Sequence, residues 1–354
     1  MTECQSMPGA AQPAVTESGT DEIVAAPNAG RTERHCSVAR TVGILSDPWM
    51  FLVIREAFFG AKRFETFQSS LGVPRATLTD RLGRLIEEGI LVRSRIPDAK
   101  RHEYKLTAAG LDLYPSFIAL MQFGDRWLLD GDEPPLRLVD SADGHVIEPI
   151  VACSHCHGEI NAHRVTYRDG PGAGASCMPP SKRTRRPSDP GLFERGRPSS
   201  VAKSLQVIGD RWSFLVIREA FFGRRRFDHM QVELGIASNI LADRLARLVQ
   251  SGVFRRDYYD EARDRVEYRL TDMGLDLYGP LVAMLAWGDR WLADGKPPLV
   301  LHHLDCGHDF SPVVICRSSR RAVTAHGLRY RMSYTASDYE GPLHEGRETP
   351  ARST

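Results

Sequence analysis

Apolar residues at Met50, Val53, Ile54, Ala57 and Phe58 recur at the spacing that gathers side chains on one helical face, and Gly60 closes the run. Asp47-Pro48 supplies the start, a carboxylate to cap the first amides and a proline where no amide partner is needed. A shorter amphipathic run, Cys36 to Leu45, precedes it. Beyond Arg63-Phe64, the stretches Phe64 to Leu71 and Arg75 to Glu88, separated by Gly72-Val73-Pro74, predict two short helices joined by a tight turn. Leu78, Leu82 and Leu85 then face a core, leaving Arg75, Thr77, Arg81 and Arg84 on other faces. After Gly89 the period shortens to that of strands, with Ile90 to Ile96, a polar tip at Pro97 to His102, and Glu103 to Leu106. A hairpin directly after a helix-turn-helix is a wing. A longer helix follows, with Leu113, Phe117, Leu120, Met121 and Leu128 on one face and Pro115 at its start. That face is wider than one small domain needs, and the surplus is expected to meet another unit.

The other unit is in the same chain. Phe51 to Gly60 returns letter for letter as Phe214 to Gly223, Glu103-Tyr-Lys-Leu-Thr107 as Glu267-Tyr-Arg-Leu-Thr271, and Gly110-Leu-Asp-Leu-Tyr114 as Gly274 to Tyr278. Gly124-Asp-Arg-Trp127 returns as Gly288 to Trp291. Repeats this long are whole domains, since solenoid units run to roughly 20–50 residues. The second set of short helices is Phe227 to Leu234 and Ser238 to Gln250, with Leu245 and Leu248 packing inward and Ser238, Asn239, Arg244 and Arg247 outside. Its hairpin is Val253 to Leu270, with one extra residue at the tip, and its long helix carries Leu277, Leu281, Leu285 and Leu292. Each copy ends in a stretch with short β-like runs, Leu136 to Tyr167 and Leu299 to Tyr330.

The expected fold is mainly α with a small β part (α+β): two tandem winged helix-turn-helix domains, each with a long C-terminal helix and a short β-rich extension. Residues 1–35 read as a disordered tail, 36–168 as the first domain, 169–198 as a linker rich in Pro, Gly and Arg, 199–334 as the second domain, and 335–354 as a tail.

Composition narrows the class little further. An apolar share of 42% and a charged share of 26% are ordinary for globular chains of this length, 354 residues. No apolar run approaches the ~18 residues that span a bilayer, so a cytoplasmic protein without a membrane partner is expected. A formal net charge of +1 gives no general attraction for nucleic acid, so any binding must come from where the cations sit. Seven cysteines at irregular spacings suggest reduced thiols or metal ligands.

The ordered set Cys36, Trp49, Arg63-Phe64, Leu71-Gly72, Leu78-Thr79-Asp80-Arg81-Leu82, Gly89, Glu103-Tyr104, Thr107, Gly110 resembles the HxlR-type winged-helix transcription regulators, relatives of the MarR group. Gly209-Asp-Arg-Trp212, Arg226-Phe227, Leu241-Ala-Asp-Arg-Leu245, Gly252, Glu267-Tyr268 and Thr271 carry the same resemblance in the second copy. It implies a bacterial or archaeal cytosolic regulator, most simply a repressor, that binds double-stranded DNA. It also implies a homodimer joined by first and last helices; two covalently linked copies suggest an internal pseudo-dimer instead. A small-molecule or redox effector would fit such a regulator. A protein-interaction adaptor that has kept the shape without binding DNA is the alternative.

On the geometry of an α-helix in a major groove, polar residues near its N-terminal end reach base edges. That singles out Arg75 and Thr77, with Ser238 and Asn239 in the second copy. Arg81, Arg84, Arg244 and Arg247 either touch phosphate or pair with Asp80 and Asp243. Lys100, Arg101 and His102 at one wing tip, and Arg263 and Arg265 at the other, would meet the DNA backbone or minor groove, and Lys182 to Arg186 in the linker adds a basic run.

Cys36, near a helix start and matched by Ser199, is either a redox-sensing thiol or a structural one. Cys153-Ser-His-Cys156 has the spacing of one zinc knuckle, but no second pair of matching spacing is apparent, and Ser319 stands where the repeat would place another cysteine. Neither metal nor cofactor is therefore expected. Catalysis is not expected either: the chain has no Walker-type phosphate loop, no nucleophile elbow and no two-His metal helix, and Asp257 and Asp260 lie on hairpin strands where solvation explains them.

Overall fold

The computed structural model describes residues 32–45, 47–95, 102–177, 196–260, 265–334 and 348–349. In the first copy a strand β1 (Thr32–Arg34) leads into helices α1 (Ser37–Ile44), α2 (Pro48–Phe58), α3 (Phe64–Leu71) and α4 (Arg75–Glu87). The wing is β2 (Leu91–Arg95) and β3 (His102–Leu106), followed by α5 (Ala108–Leu111), α6 (Tyr114–Trp127) and strands β4 (Leu136–Asp140), β5 (Pro149–Cys153), β6 (Val165–Asp169) and β7 (Ala175–Cys177). The second copy repeats the order as α7 (Ser200–Ile208), α8 (Arg211–Phe221), α9 (Phe227–Leu234), α10 (Ser238–Gln250), β8 (Phe254–Asp260), β9 (Arg265–Leu270), α11 (Asp272–Asp276) and α12 (Tyr278–Leu292). Its extension is β10 (Leu299–His303), β11 (His308–Phe310), β12 (Pro312–Cys316) and β13 (Leu328–Met332), with β14 (Glu348–Thr349) alongside.

Local chemistry accounts for the helix ends. Asp47 accepts from the Met50 amide at 3.2 Å with Pro48 in the first turn of α2, and Asp210 accepts from Trp212 and Ser213 at the start of α8. Gly72 and Gly235 end α3 and α9 at φ of 60° and 56°, a left-handed corner that swings the chain into the next helix. Pro115 and Pro280 sit in the first turns of α6 and α12, where they interrupt nothing.

The surplus apolar face of each long helix is covered by the other copy: α1 lies on α12, α7 on α6, and α6 touches α12. At the centre, Phe51 and Phe214, the first residues of the two identical decapeptides, stack at 6.1 Å between ring centroids. Each decapeptide also buries an Arg–Glu pair, Arg55 with Glu56 and Arg218 with Glu219. The close helix crossings require glycine. A Cβ on Gly124 would stand 2.3 Å from the Ser200 carbonyl oxygen, and one on Gly288 would stand 2.6 Å from that of Ser37. This is the physical reason for glycine at the head of both Gly-Asp-Arg-Trp motifs.

The β-rich extensions are not two separate appendages. β6 of the first copy pairs antiparallel with β10 of the second, β13 of the second with β4 of the first, and β5 with β12. Three pieces assigned to tail or linker also take part. β1 pairs with β7, the Gly170 and Gly172 amides bond to Pro298 and Pro297 carbonyls, and Arg197 is fully buried. Arg197 stacks over Phe59 at 4.1 Å and reaches Glu56 with its Nε at 3.2 Å. Buried polar chain must be paired somewhere, and the two copies supply the partners. No single helix among the described residues is long and apolar enough to cross a membrane.

Candidate nucleic-acid interface

α4 packs on α2, α3 and β2, and α10 packs on α7, α8, α9 and β8, all within their own copies. Leu78, Leu82 and Leu85 are buried on one face of α4, as Leu241, Leu245 and Leu248 are on α10. The opposite faces reach solvent. Arg75 is exposed at the head of α4, stacked over Phe64 at 4.7 Å and donating from Nη1 to Gln68 Oε1 at 3.2 Å, which holds it extended beside the turn. Thr77 is half-buried two residues on, and Ser238 and Asn239 are exposed at the head of α10.

The arginines of the next turn divide. Arg81 places Nε 2.7 Å from Asp47 Oδ2, the cap of α2, and also meets Asp80. Arg244 donates from Nε to Asp210 Oδ1 at 2.9 Å, the matching cap of α8, and also meets Asp243. Their side chains are only 23% and 12% exposed, so both guanidinium groups brace the exposed helix against the one beneath it. Of the two roles weighed for them, the structure gives them partners, with a cap aspartate that sequence spacing did not reveal. Arg84 is half-buried. Arg247 pairs with Asp243 at 2.9 Å while remaining 48% exposed, so an anion can reach it.

At the wings, His102 is exposed with its Nδ1 3.1 Å from Arg93 Nη2, and Arg265 is exposed at the start of β9. Lys100, Arg101 and Arg263 lie outside the described residues, as does the basic run at 182–186. Several exposed cations on the strands themselves escaped the reading of the sequence: Arg93 and Arg95 on β2, Arg255 and Arg256 on β8. Alternate arginines at strand period, Arg93 and Arg95, were the available signal. Tyr258 and Tyr259 are also exposed, at 54% and 43%, the latter under Arg226 at 4.5 Å.

The remaining singled-out residues lie elsewhere. Cys36 occupies the N-cap position of α1 without a side-chain capping bond, and is 4% exposed. Cys153 and Cys156 lie in the shared extension.

A short helix, a left-handed corner, a helix with a polar exposed face and a cationic hairpin, arranged in that order twice, define a winged helix-turn-helix protein of the DNA-binding class. The sequence profile of the HxlR-like helix-turn-helix family matches residues 44–132 and 207–296, half of the chain, and the protein belongs to that family of transcription regulators. An uncharacterised HTH-type transcriptional regulator of Mycobacterium tuberculosis is 42% identical over 139 residues, 38% of this chain and 87% of that one. Another from Synechocystis is 36% identical over 116 residues, covering 32% of this chain and 85% of its own. The Bacillus subtilis HTH-type transcriptional regulator YodB is 30% identical over 96 residues, 27% of this chain and 86% of its own. Each relative spans the length of about one copy.

Proposed function

We propose that this chain represses transcription as an intramolecular pseudo-dimer, each copy placing one helix in the major groove of the same duplex. What carries the reading is that reciprocal packing of α1 on α12 and α7 on α6 leaves the heads of α4 and α10 exposed, with unlike residues on them. Arg75 suits guanine and Asn239 suits adenine, with Thr77 and Ser238 beside them. Arg84, Arg247 and Arg265 with the wing-tip cations Lys100, Arg101 and Arg263 supply phosphate contacts, whereas Arg81 and Arg244 act by holding the helices in place. A homodimer reads a palindrome with half-sites about one turn apart, ~34–36 Å. This chain should prefer two different half-sites at such a spacing.

Selection of binding sequences from a random duplex pool tests it, followed by affinity measured across a salt series. The expected result is an asymmetric site bound with a steep loss of affinity as salt rises. Recovery of a perfect palindrome bound by two chains would rule out the pseudo-dimer, and weak binding at every salt would favour a protein-interaction adaptor.

A further inference from the structure

The interlocked extensions bring four soft ligands together. Cys153 ends β5 and Cys156 follows in the turn after it, both in the first copy; His303 ends β10 and Cys306 follows in the next turn, both in the second. Their ligand atoms all lie within 4.8 Å of one another. Cys153 Sγ is 3.9 Å from Cys306 Sγ, and His303 Nδ1 is 3.4 Å from both Cys156 Sγ and Cys306 Sγ. A tetrahedral zinc ion, with bonds of about 2.3 Å to sulfur and about 2.0 Å to nitrogen, has ligand–ligand edges of about 3.8 Å and about 3.5 Å. We propose that Cys153, Cys156, His303 and Cys306 form a structural Cys3His zinc site whose two halves come from the two copies of the repeat.

The surroundings fit a metal better than four neutral side chains. The His155 amide points at Cys153 Sγ and the Gly158 amide at Cys156 Sγ, each at 3.4 Å, which spreads the charge of bound thiolates. His303 is 1% exposed and turns Nδ1 toward the sulfurs, while its buried Nε2 makes no hydrogen bond among the described residues and lies 3.4 Å from Asp305 Oδ2. Asp305 is held in turn by Arg164 from the first copy. A carboxylate behind a metal-bound imidazole fixes its orientation and raises its basicity. The turn leaves no spare room: a Cβ on Gly158 would come within 3.3 Å of Cys156 Sγ and 3.6 Å of the His303 ring.

The repeat also holds the twin of this site, altered. By the correspondence of β5 with β12 and of β4 with β10 along the repeated sequence, Cys316, Ser319, Asp140 and Asp143 stand where Cys153, Cys156, His303 and Cys306 do. There Arg321 replaces Gly158 and sends its guanidinium to Asp140 at 3.1 Å and Asp143 at 2.6 Å. A fixed cation has taken the place that a metal holds on the other side. The loss of Ser319's cysteine, which argued against zinc in the sequence, belongs to that twin. The missing second ligand pair is His303-Leu-Asp-Cys306, more than a hundred residues downstream.

The test uses the full chain purified under reducing conditions, with metal content by mass spectrometry and cobalt(II) replacement read by visible absorption. About one zinc per chain is expected, falling to about a tenth or less in Cys156→Ser and in Cys306→Ser, with Cys316→Ser unchanged. Cobalt should give the d–d and thiolate charge-transfer bands of a tetrahedral sulfur-rich site, and a strong chelator should lower the melting temperature of the wild type but not of the serine variants. If a serine variant does not fold, the wild-type cobalt spectrum decides alone. No zinc or cobalt uptake by the reduced chain overturns the site, and so does uptake that survives both substitutions or a Cys153–Cys306 disulfide that re-forms in the presence of zinc.

Discussion

Trp127 in the first copy donates its indole N–H to Asp276 in the second at 2.7 Å, and Trp291 in the second returns the bond to Asp112 in the first at 2.8 Å. The arginine before each tryptophan joins in, Arg126 to Asp276 at 2.9 Å and Arg290 to Asp112 at 3.2 Å. The repeated Gly-Asp-Arg-Trp and Gly-Leu-Asp-Leu-Tyr motifs therefore meet each other across the duplication, as self-complementary patches do in a twofold dimer. Asp276→Ala and Asp112→Ala should each cost about 1 kcal/mol, reduced by screening because both carboxylates are about a third exposed, and the double variant about twice that. Urea unfolding midpoints measure it. No loss in the double variant would mean the paired motifs are not holding the copies together.

Glycine in a helix has opposite value at two places. Gly83, within α4, has nothing within 4 Å of where a Cβ would sit, and the second copy has Ala246 there. Gly83→Ala should stabilise by about 0.5–1 kcal/mol through helix propensity. Gly124→Ala would drive a methyl group into the Ser200 carbonyl and should cost about 1–3 kcal/mol as the crossing opens. Thermal melts of the two variants should move in opposite directions.

Two carboxylates in the same crossings make stability depend on pH. Burial lifts Asp125 and Asp289 to about 6, against the opposing pull of hydrogen bonds from Ser200 and Ser37. Between the ordinary carboxylate range and about pH 6 the folded chain holds more protons than the unfolded one, so stability falls as pH rises through that window and the penalty is full above it. Asp125→Asn with Asp289→Asn keeps an acceptor for each serine hydroxyl without the charge. The double variant should melt higher than the wild type at about pH 7.5, and the gap should close by about pH 4. An equal gap at both pH values would assign the effect to something other than ionisation.

Much of the architecture is legible because its causes are local. The Asp47-Pro48 start, the glycine corners and the leucine spacing of α4 each depend on residues within a turn or two, so period and caps suffice. The repeat extends that reading to the second copy. What the sequence withholds is which copy supplies a partner. The strands β6 and β10 look like ends of separate extensions until they pair, and Cys153-x-x-Cys156 lacks a second ligand pair until β5 and β10 are brought together. Arg81 and Arg75 illustrate the same limit at the interface: both are arginines on one helix, and only the tertiary position of Asp47 turns one inward.

That distinction separates two substitutions that sequence alone would treat alike, and it rests on the proposed DNA-binding role. Arg75 is exposed, stacks on Phe64 and bonds Gln68 of its own copy, so Arg75→Ala should leave the melting temperature within error of the wild type. If its guanidinium reads a base, DNA affinity should fall by about 1–3 kcal/mol, roughly 10- to 100-fold, and discrimination at one operator position should relax. Arg81 faces a cap carboxylate that is 5% exposed, so Arg81→Ala leaves Asp47 Oδ2 buried without its cation and should lower stability by about 2–3 kcal/mol. Its effect on DNA affinity should follow from the loosened helix and shrink at lower temperature, where the fold is intact. Fluorescence anisotropy with a labelled operator at two temperatures, beside melting curves, measures both variants. If Arg75→Ala bound like the wild type while folded Arg81→Ala lost binding at both temperatures, the base-reading role would pass to the second turn of the helix.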